Sequence, residues 1–193
     1  MKTATVTRTS KETDIKIIIL PEDNQTEIST GIGFFDHMLT ALSVHSQIAM
    51  KIHAVGDIHV DAHHTVEDTG IVLGQAFAKA LGDKSGIVRY GSAYIPMDES
   101  LAFCSLDICN RPFLVFNAEF TNAMIGAYDT CLTEEFMRAF AFHAGITLHC
   151  NILYGKNDHH KTEAIFKSVA HALRIAVAET KTGEVFSTKG ILG

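Results

Sequence analysis

This sequence has no basic excess, no closely paired cysteines and no long apolar run, and each absence removes a class of protein. The formal net charge is -6 with histidine neutral, the opposite of the cationic stripe that a phosphate backbone attracts, so nucleic acid is not expected as a partner. The four cysteines, Cys104, Cys109, Cys131 and Cys150, form no Cys-x-x-Cys pair. A chain of 193 residues does not need disulfides, and they read as reduced, mostly buried thiols. Apolar runs such as Ile17-Ile18-Ile19-Leu20 are far too short to cross a bilayer, so no membrane partner is expected. Met1-Lys2-Thr3 leads straight into alternating sequence without the apolar core of a signal peptide, and a cytoplasmic location is expected.

What is present is a core-forming composition, 47% hydrophobic and 20% charged, and eleven histidines. Such a chain folds as one domain or as two small ones packed as a unit. Residues 4–20 alternate and are rich in Thr, Val and Ile, with a break at Ser10-Lys11-Glu12, which is the pattern of a hairpin. A short strand follows at 26–29, a helix at 34–45, a strand at 48–55 and a helix at 65–81, stopped by Gly82. The same order then returns: strands at 89–96, 101–108 and 112–120, a helix at 133–143, a strand at 146–154 and a helix at 160–179. This repetition predicts an internal duplication with halves at 1–86 and 87–193. Aligning the earlier helices sets His37 opposite Glu135 and His45 opposite His143.

The chemistry lies in two copies of one motif, His63-His64-Thr65-Val66-Glu67 and His159-His160-Lys161-Thr162-Glu163, each at the start of the last helix of its half. On a helix beginning near His64, that residue and Glu67 lie one turn apart on one face, so an imidazole and a carboxylate can reach one ion. His63, one position earlier, points elsewhere and serves a different ion. The second copy repeats this with His160, Glu163 and His159. His37 and Glu135 are candidate extra ligands from the preceding helices. A single His-His pair is common as solvated or structural histidine; two copies at equivalent places favour a metal site. Nitrogen and oxygen donors without thiolate suit octahedral Mn, Fe, Co or Ni better than structural zinc. Neither copy is His-Glu-x-x-His or His-x-x-Glu-His, which disfavours a standard metalloprotease.

At these residues the chain resembles the imidazoleglycerol-phosphate dehydratase family. Besides Asp61-Ala62-His63-His64-Thr65-Val66-Glu67-Asp68, the similarity runs through Gly33-Phe34-Phe35-Asp36-His37-Met38-Leu39, Arg89-Tyr90-Gly91, Pro96-Met97-Asp98-Glu99 and Asn110-Arg111-Pro112. It continues in Thr147-Leu148-His149, Asn157-Asp158-His159-His160 and Ser187-Thr188-Lys189-Gly190. The resemblance implies an α+β fold of two similar halves, each a mostly antiparallel four-stranded sheet with two helices on one face. It implies loss of water from imidazole glycerol phosphate, a small phosphorylated imidazole, to give imidazole acetol phosphate in histidine biosynthesis. A metal-bound imidazolate and a diazafulvene-like intermediate would lie on that path. Two Mn2+ per active site, assembly into a 24-subunit shell and sites shared between subunits are further implications.

The resemblance also implies roles. His37, His63, His64, Glu67, Glu135, His159, His160 and Glu163 become the metal ligands. Pseudo-symmetry groups His37, His64, Glu67 and His159 at one ion and His63, Glu135, His160 and Glu163 at the other. Glu135 stands where many members carry His, and a carboxylate is a competent ligand for a hard ion. Catalysis falls to Glu12 as acid/base carboxylate in the first hairpin turn, together with His63, Glu67, His159 and Glu163. Substrate contacts fall to Glu12, His37, His45, His63, Glu67 and His159, with Arg89, Arg111, Lys167, Ser187 and Lys189 on the phosphate and its surroundings. His149 reads as a satisfied structural histidine. The competing reading is a non-catalytic shell protein that binds divalent metal, in which Glu12 and the anion-binding tail have no purpose. A phosphate hydrolase would differ from both by releasing inorganic phosphate.

Overall fold

The computed structural model describes residues 1–180 and 187. The alternation at the start of the chain becomes β1 (Ala4–Thr9) and β2 (Thr13–Leu20), antiparallel, with Ala4 opposite Ile19 and Thr9 opposite Asp14. In β2, Ile15, Ile17 and Ile19 are fully buried while Asp14 and Lys16 are exposed. Each buried isoleucine contributes about 1.5–3 kcal/mol, and a one-residue slip would forfeit all three while burying Lys16. β3 (Glu27–Ser29), α1 (Gly33–Ser46), β4 (Ala49–Gly56) and α2 (His63–Leu81) follow. The first sheet has the order β1-β2-β4-β3, and only β3 runs parallel to its neighbour.

The second half repeats this plan with β5 (Tyr90–Met97), β6 (Ser100–Ile108) and β7 (Phe113–Asn117). A small hairpin of β8 (Met124–Ile125) and β9 (Tyr128–Asp129) intervenes before α3 (Leu132–Ala144), β10 (Ile146–Tyr154) and α4 (Asp158–Ala176). Its sheet order, β5-β6-β10-β7, is that of the first sheet, again with only the β7–β10 pair parallel. The fold is α+β with two similar, mostly antiparallel four-stranded sheets.

The helices meet across the halves. α1 lies against α4 and α2 against α3, while α2 also packs on β1 and β2, and α4 on β5 and β6. The helices therefore form a layer between the two sheets, within one continuous apolar core. α2 and α3 come within backbone contact: a Cβ at Gly70 would fall 2.9 Å from the Phe136 carbonyl oxygen, and one at Gly74 2.7 Å from that of Phe140. Only glycine permits that spacing. The contact advances four residues on both helices together, so they run in the same direction.

Several features differ from the sequence reading. α4 stops at Ala176 rather than at 179, because residues 178–180 leave the helix to pair with 86–88: Val88 N donates to Ala178 O and Thr180 N to Gly86 O. The strand expected at 112–120 shortens to β7, as the chain beyond it turns to dock Thr121 and Asn122 on Asp158. The β8–β9 hairpin was not expected.

Candidate metal and active site

Each histidine pair sits at a helix start, held by a side chain two residues before its first histidine. Asn157 is the N-cap of α4 and its Oδ1 accepts from His159 N at 2.9 Å, while ahead of α2, whose N-cap is Ala62, Asp61 Oδ1 accepts from His63 N at 2.8 Å. Asp158 fixes the start of α4 further. Its buried carboxylate accepts from Thr121 N at 3.0 Å, from Asn122 N at 2.7 Å and Nδ2 at 2.9 Å, and from Lys161 Nζ at 2.9 Å. Burial opposes its charge, but Lys161 and these amides prevail and hold the carboxyl below its ordinary value.

One group of potential ligands is assembled from the two halves. His37 of α1 meets His159 and Glu163 of α4, with the ligand atoms all within 4.8 Å of one another. The Glu163 Oε2 atom is 3.5 Å from His37 Nε2 and 3.4 Å from His159 Nε2. Lys167 Nζ, one turn further along α4, donates to Glu163 Oε1 at 2.7 Å. Burial pushes the Glu163 carboxyl up, yet Lys167 and His37 outweigh it, so the group is held below its ordinary value as a carboxylate. Phe34 packs edge-on against His159 with ring centroids 4.9 Å apart, supplying an apolar wall. His45 lies two turns along α1, 5.4 Å ring to ring from His171. Burial, then the charge of Lys167, keeps its imidazole below the ordinary value and so neutral near pH 7.

The second histidine of each motif is held differently. His64 Nδ1 lies 3.0 Å from Asp57 Oδ2 and 3.9 Å from Glu12 Oε2; His160 Nδ1 lies 2.7 Å from Glu99 Oε2. An imidazole whose Nδ1 donates to a carboxylate presents Nε2 as its free ligand atom. The hydrogen bonds that the two imidazoles donate to Asp57 and Glu99 are also what raise them above their ordinary value. Glu99 in turn is held far below the carboxylate range by Asn157 N, His160 and Lys156 N. Among the described residues, neither His64 nor His160 joins the His37 group of its own chain.

The grouping expected from sequence is therefore rearranged. His37 and His159 do come together, but with Glu163, which had been placed with His63 and Glu135; the reason is that α1 packs on α4. His63 Nε2 lies 3.7 Å from Glu67 Oε2, and Glu135 is paired with Arg138 at 3.2 Å. Glu12 is exposed in the β1–β2 turn beside His64. Arg89 and Arg111 converge on Asp107, which takes Arg89 Nε at 2.6 Å and Nη2 at 3.0 Å and lies 3.7 Å from Arg111 Nη2. Arg89 is buried at a φ of 77°, a backbone state that costs a non-glycine residue strain. Ser187 is half-buried, and Lys189 lies outside the described residues. His149 is exposed on β10 rather than satisfied inside. The sequence reading gave no role to Asp57, Glu99, Asp107 or His171. The segment Pro96-Met97-Asp98-Glu99 was a signal for Glu99, whereas Asp57 follows only from loop geometry.

The imidazoleglycerol-phosphate dehydratase family model matches residues 30–173, a span holding both histidine motifs and His37. The chain belongs to the imidazoleglycerol-phosphate dehydratase family. It is 52% identical over 194 residues, the full length of both chains, to the imidazoleglycerol-phosphate dehydratase of Lacticaseibacillus casei. It is 55% identical over 191 residues to that of Clostridium botulinum, covering 98% of this chain and 97% of the other. The crystal structure of the Staphylococcus aureus imidazoleglycerol-phosphate dehydratase is similar at a TM-score of 0.85 and 43% identity, over 92% of this chain and 99% of that one. That of the Pyrococcus furiosus protein matches at 0.86 and 37% identity, over 97% and 100%. Membership makes the chain a hydro-lyase. No helix among the described residues is long and apolar enough to cross a membrane.

Proposed function

We propose that the chain dehydrates imidazole glycerol phosphate to imidazole acetol phosphate in histidine biosynthesis, using divalent metal held by the two histidine motifs. The observation that carries this reading is the convergence of His37, His159 and Glu163 from two different halves. Two imidazoles and a carboxylate fit a divalent ion of the Mn type, and the carboxylates on the Nδ1 atoms of His64 and His160 are the supports that metal-binding imidazoles use. In this reading each active site takes two Mn2+. A bound ion supplies Lewis acidity at the ring nitrogens of the substrate.

The chain's own groups handle binding and protons. The C–O bond beside the imidazole ring breaks, its hydroxyl leaving with a proton as water. The C–H proton on the next carbon goes to a base, and the resulting enol becomes the ketone. Glu12, 3.9 Å from His64 Nδ1, is that proton-transfer group. Lys167, Arg89, Arg111, Ser187 and Lys189 hold the phosphate, and His45 lines the α1–α4 side. Glu12 and His64 accompany each other outside the His37 group of their own chain, which is why this reading has them completing the site of a neighbouring copy in a 24-subunit shell. The repeat halves, 1–86 and 87–193, are its building units, and the cytoplasm its compartment.

The test is turnover by metal-stripped protein with and without added Mn2+, following keto product and free phosphate together. Mn-dependent keto product without phosphate is expected. Phosphate release would show a hydrolase. Folded, metal-loaded protein that yields no product would favour a metal-binding shell.

A further inference from the structure

Asp107 lies between two guanidinium groups that it holds very differently. β6 buries Leu106 and Ile108, so alternation turns Asp107 to the other face of the sheet, in register with Tyr90 of β5. Arg89, just before β5, has its backbone fixed at a φ of 77°, with Arg89 N donating to Ala176 O at 2.8 Å and Ile108 N donating to Arg89 O at 3.1 Å. Its side chain, 9% exposed, gives Asp107 both Nε at 2.6 Å and Nη2 at 3.0 Å, and its Cζ lies 4.7 Å from the Tyr90 ring centre. A bidentate, charge-assisted pair of this kind fixes the plane of a guanidinium as well as its place. Arg111 is held by its backbone instead. Thr147 Oγ1 donates to its carbonyl at 2.8 Å, and Asn110 before it takes a φ of 59°, with Asn110 N on Gly145 O at 2.8 Å and Lys84 Nζ donating to Asn110 Oδ1. The Arg111 side chain is 64% exposed, and its Nη2 stops 3.7 Å from Asp107 Oδ2, where charge tethers it but no hydrogen bond fixes it.

We propose that Asp107 is a positioning residue for the substrate's phosphate, locking Arg89 as the fixed wall of the phosphate site and tethering Arg111 as the arm that moves onto the anion. This rests on the reading above that the two arginines hold the phosphate. Two cations brought to one place repel each other, and the carboxylate between them offsets that repulsion before an anion arrives. Asp107 also repels the phosphate itself, so its removal acts in two opposing directions: it strengthens the net attraction for an anion and it releases Arg89 from its plane. The second effect wins. Water and salt screen the repulsion on an exposed face, whereas a donor displaced by a fraction of its bond length loses most of the bond.

Metal-loaded protein is assayed with imidazole glycerol phosphate, using ethyl phosphate as an inhibitor that probes the phosphate end and imidazole as one that probes the metal end. Asp107→Asn is expected to raise KM and to weaken inhibition by ethyl phosphate roughly tenfold or more, while inhibition by imidazole stays as in the wild type. Asp107→Glu, which keeps the charge but sets it one methylene further out, is expected to move the same two quantities roughly threefold, and it carries the test if the amide variant does not fold. Loss of both inhibitors together would mark a merely structural residue and overturn the proposal, as would unchanged or tighter inhibition by ethyl phosphate. Arg111→Gln separates the two readings. If it weakens ethyl phosphate and neither Asp107 substitution does, only the positioning role fails; if it too changes nothing, the phosphate reading of the arginines fails with it.

Discussion

Replacing Asp158 with Asn is expected to unsettle the start of α4 by a calculable amount. The side chain is 2% exposed and that of Lys161 7%. The substituted amide can keep its oxygen toward Thr121 N and Asn122 N, but its NH2 then faces the Lys161 ammonium, which retains the Glu119 carbonyl at 2.9 Å as an acceptor. A buried cation stripped of its partner costs about 3–5 kcal/mol. For a chain of this size each kcal/mol moves the melting point by about 2–4 °C, so a fall of about 6–20 °C is expected. It is to be read by thermal unfolding at one fixed protein concentration, because assembly adds to apparent stability. The loss depends on pH in a defined direction. The folded chain holds Asp158 below its ordinary value, so its contribution is complete above about pH 4 and disappears as the pH falls through the lowered value. The gap between wild type and Asp158→Asn should be widest near neutrality and close in acid. Pairing the substitution with Lys161→Met should recover most of the loss, since neither charge then remains. A drop below about 2 °C, or a gap that persists unchanged in acid, would refute the reasoning.

Two further outcomes follow from the geometry. Asp57→Asn and Glu99→Gln each replace the carboxylate on Nδ1 of a motif histidine with a neutral amide and are expected to weaken Mn2+ binding roughly 10–100-fold by equilibrium dialysis; Glu99→Gln should also lower thermal stability more, because Glu99 additionally accepts from Lys156 N and Asn157 N. Unchanged affinity in both would exclude an orienting role. Cys131 is exposed, yet burial and then Asp129 push its thiol up to about 11, so only about one thiol in a thousand is ionised at pH 8. Alkylation by iodoacetamide, followed by mass spectrometry, should therefore be slow at pH 8, accelerate about tenfold per pH unit up to pH 10, and quicken in Asp129→Asn; rapid labelling at pH 7 would contradict this.

Local periodicity was enough wherever one face of a short segment decides the structure. Ile15, Ile17 and Ile19 set against Asp14 and Lys16 leave β2 one register, and the repeat of three strands, helix, strand and helix is written twice in the same terms. β8 and β9 escaped because a strand of two residues has no period. Asp57 and Glu99 escaped because they act from loops, and reach His64 and His160 only once strand ends and helix starts are fixed in space.

The grouping of the ligands turned on which histidine of a motif shares a face with its carboxylate. The three-residue spacing set His160 with Glu163, whereas on the folded α4 it is His159, four residues back, whose Nε2 lies 3.4 Å from Glu163 Oε2, and the packing of α1 on α4 then brings His37 to the same carboxylate.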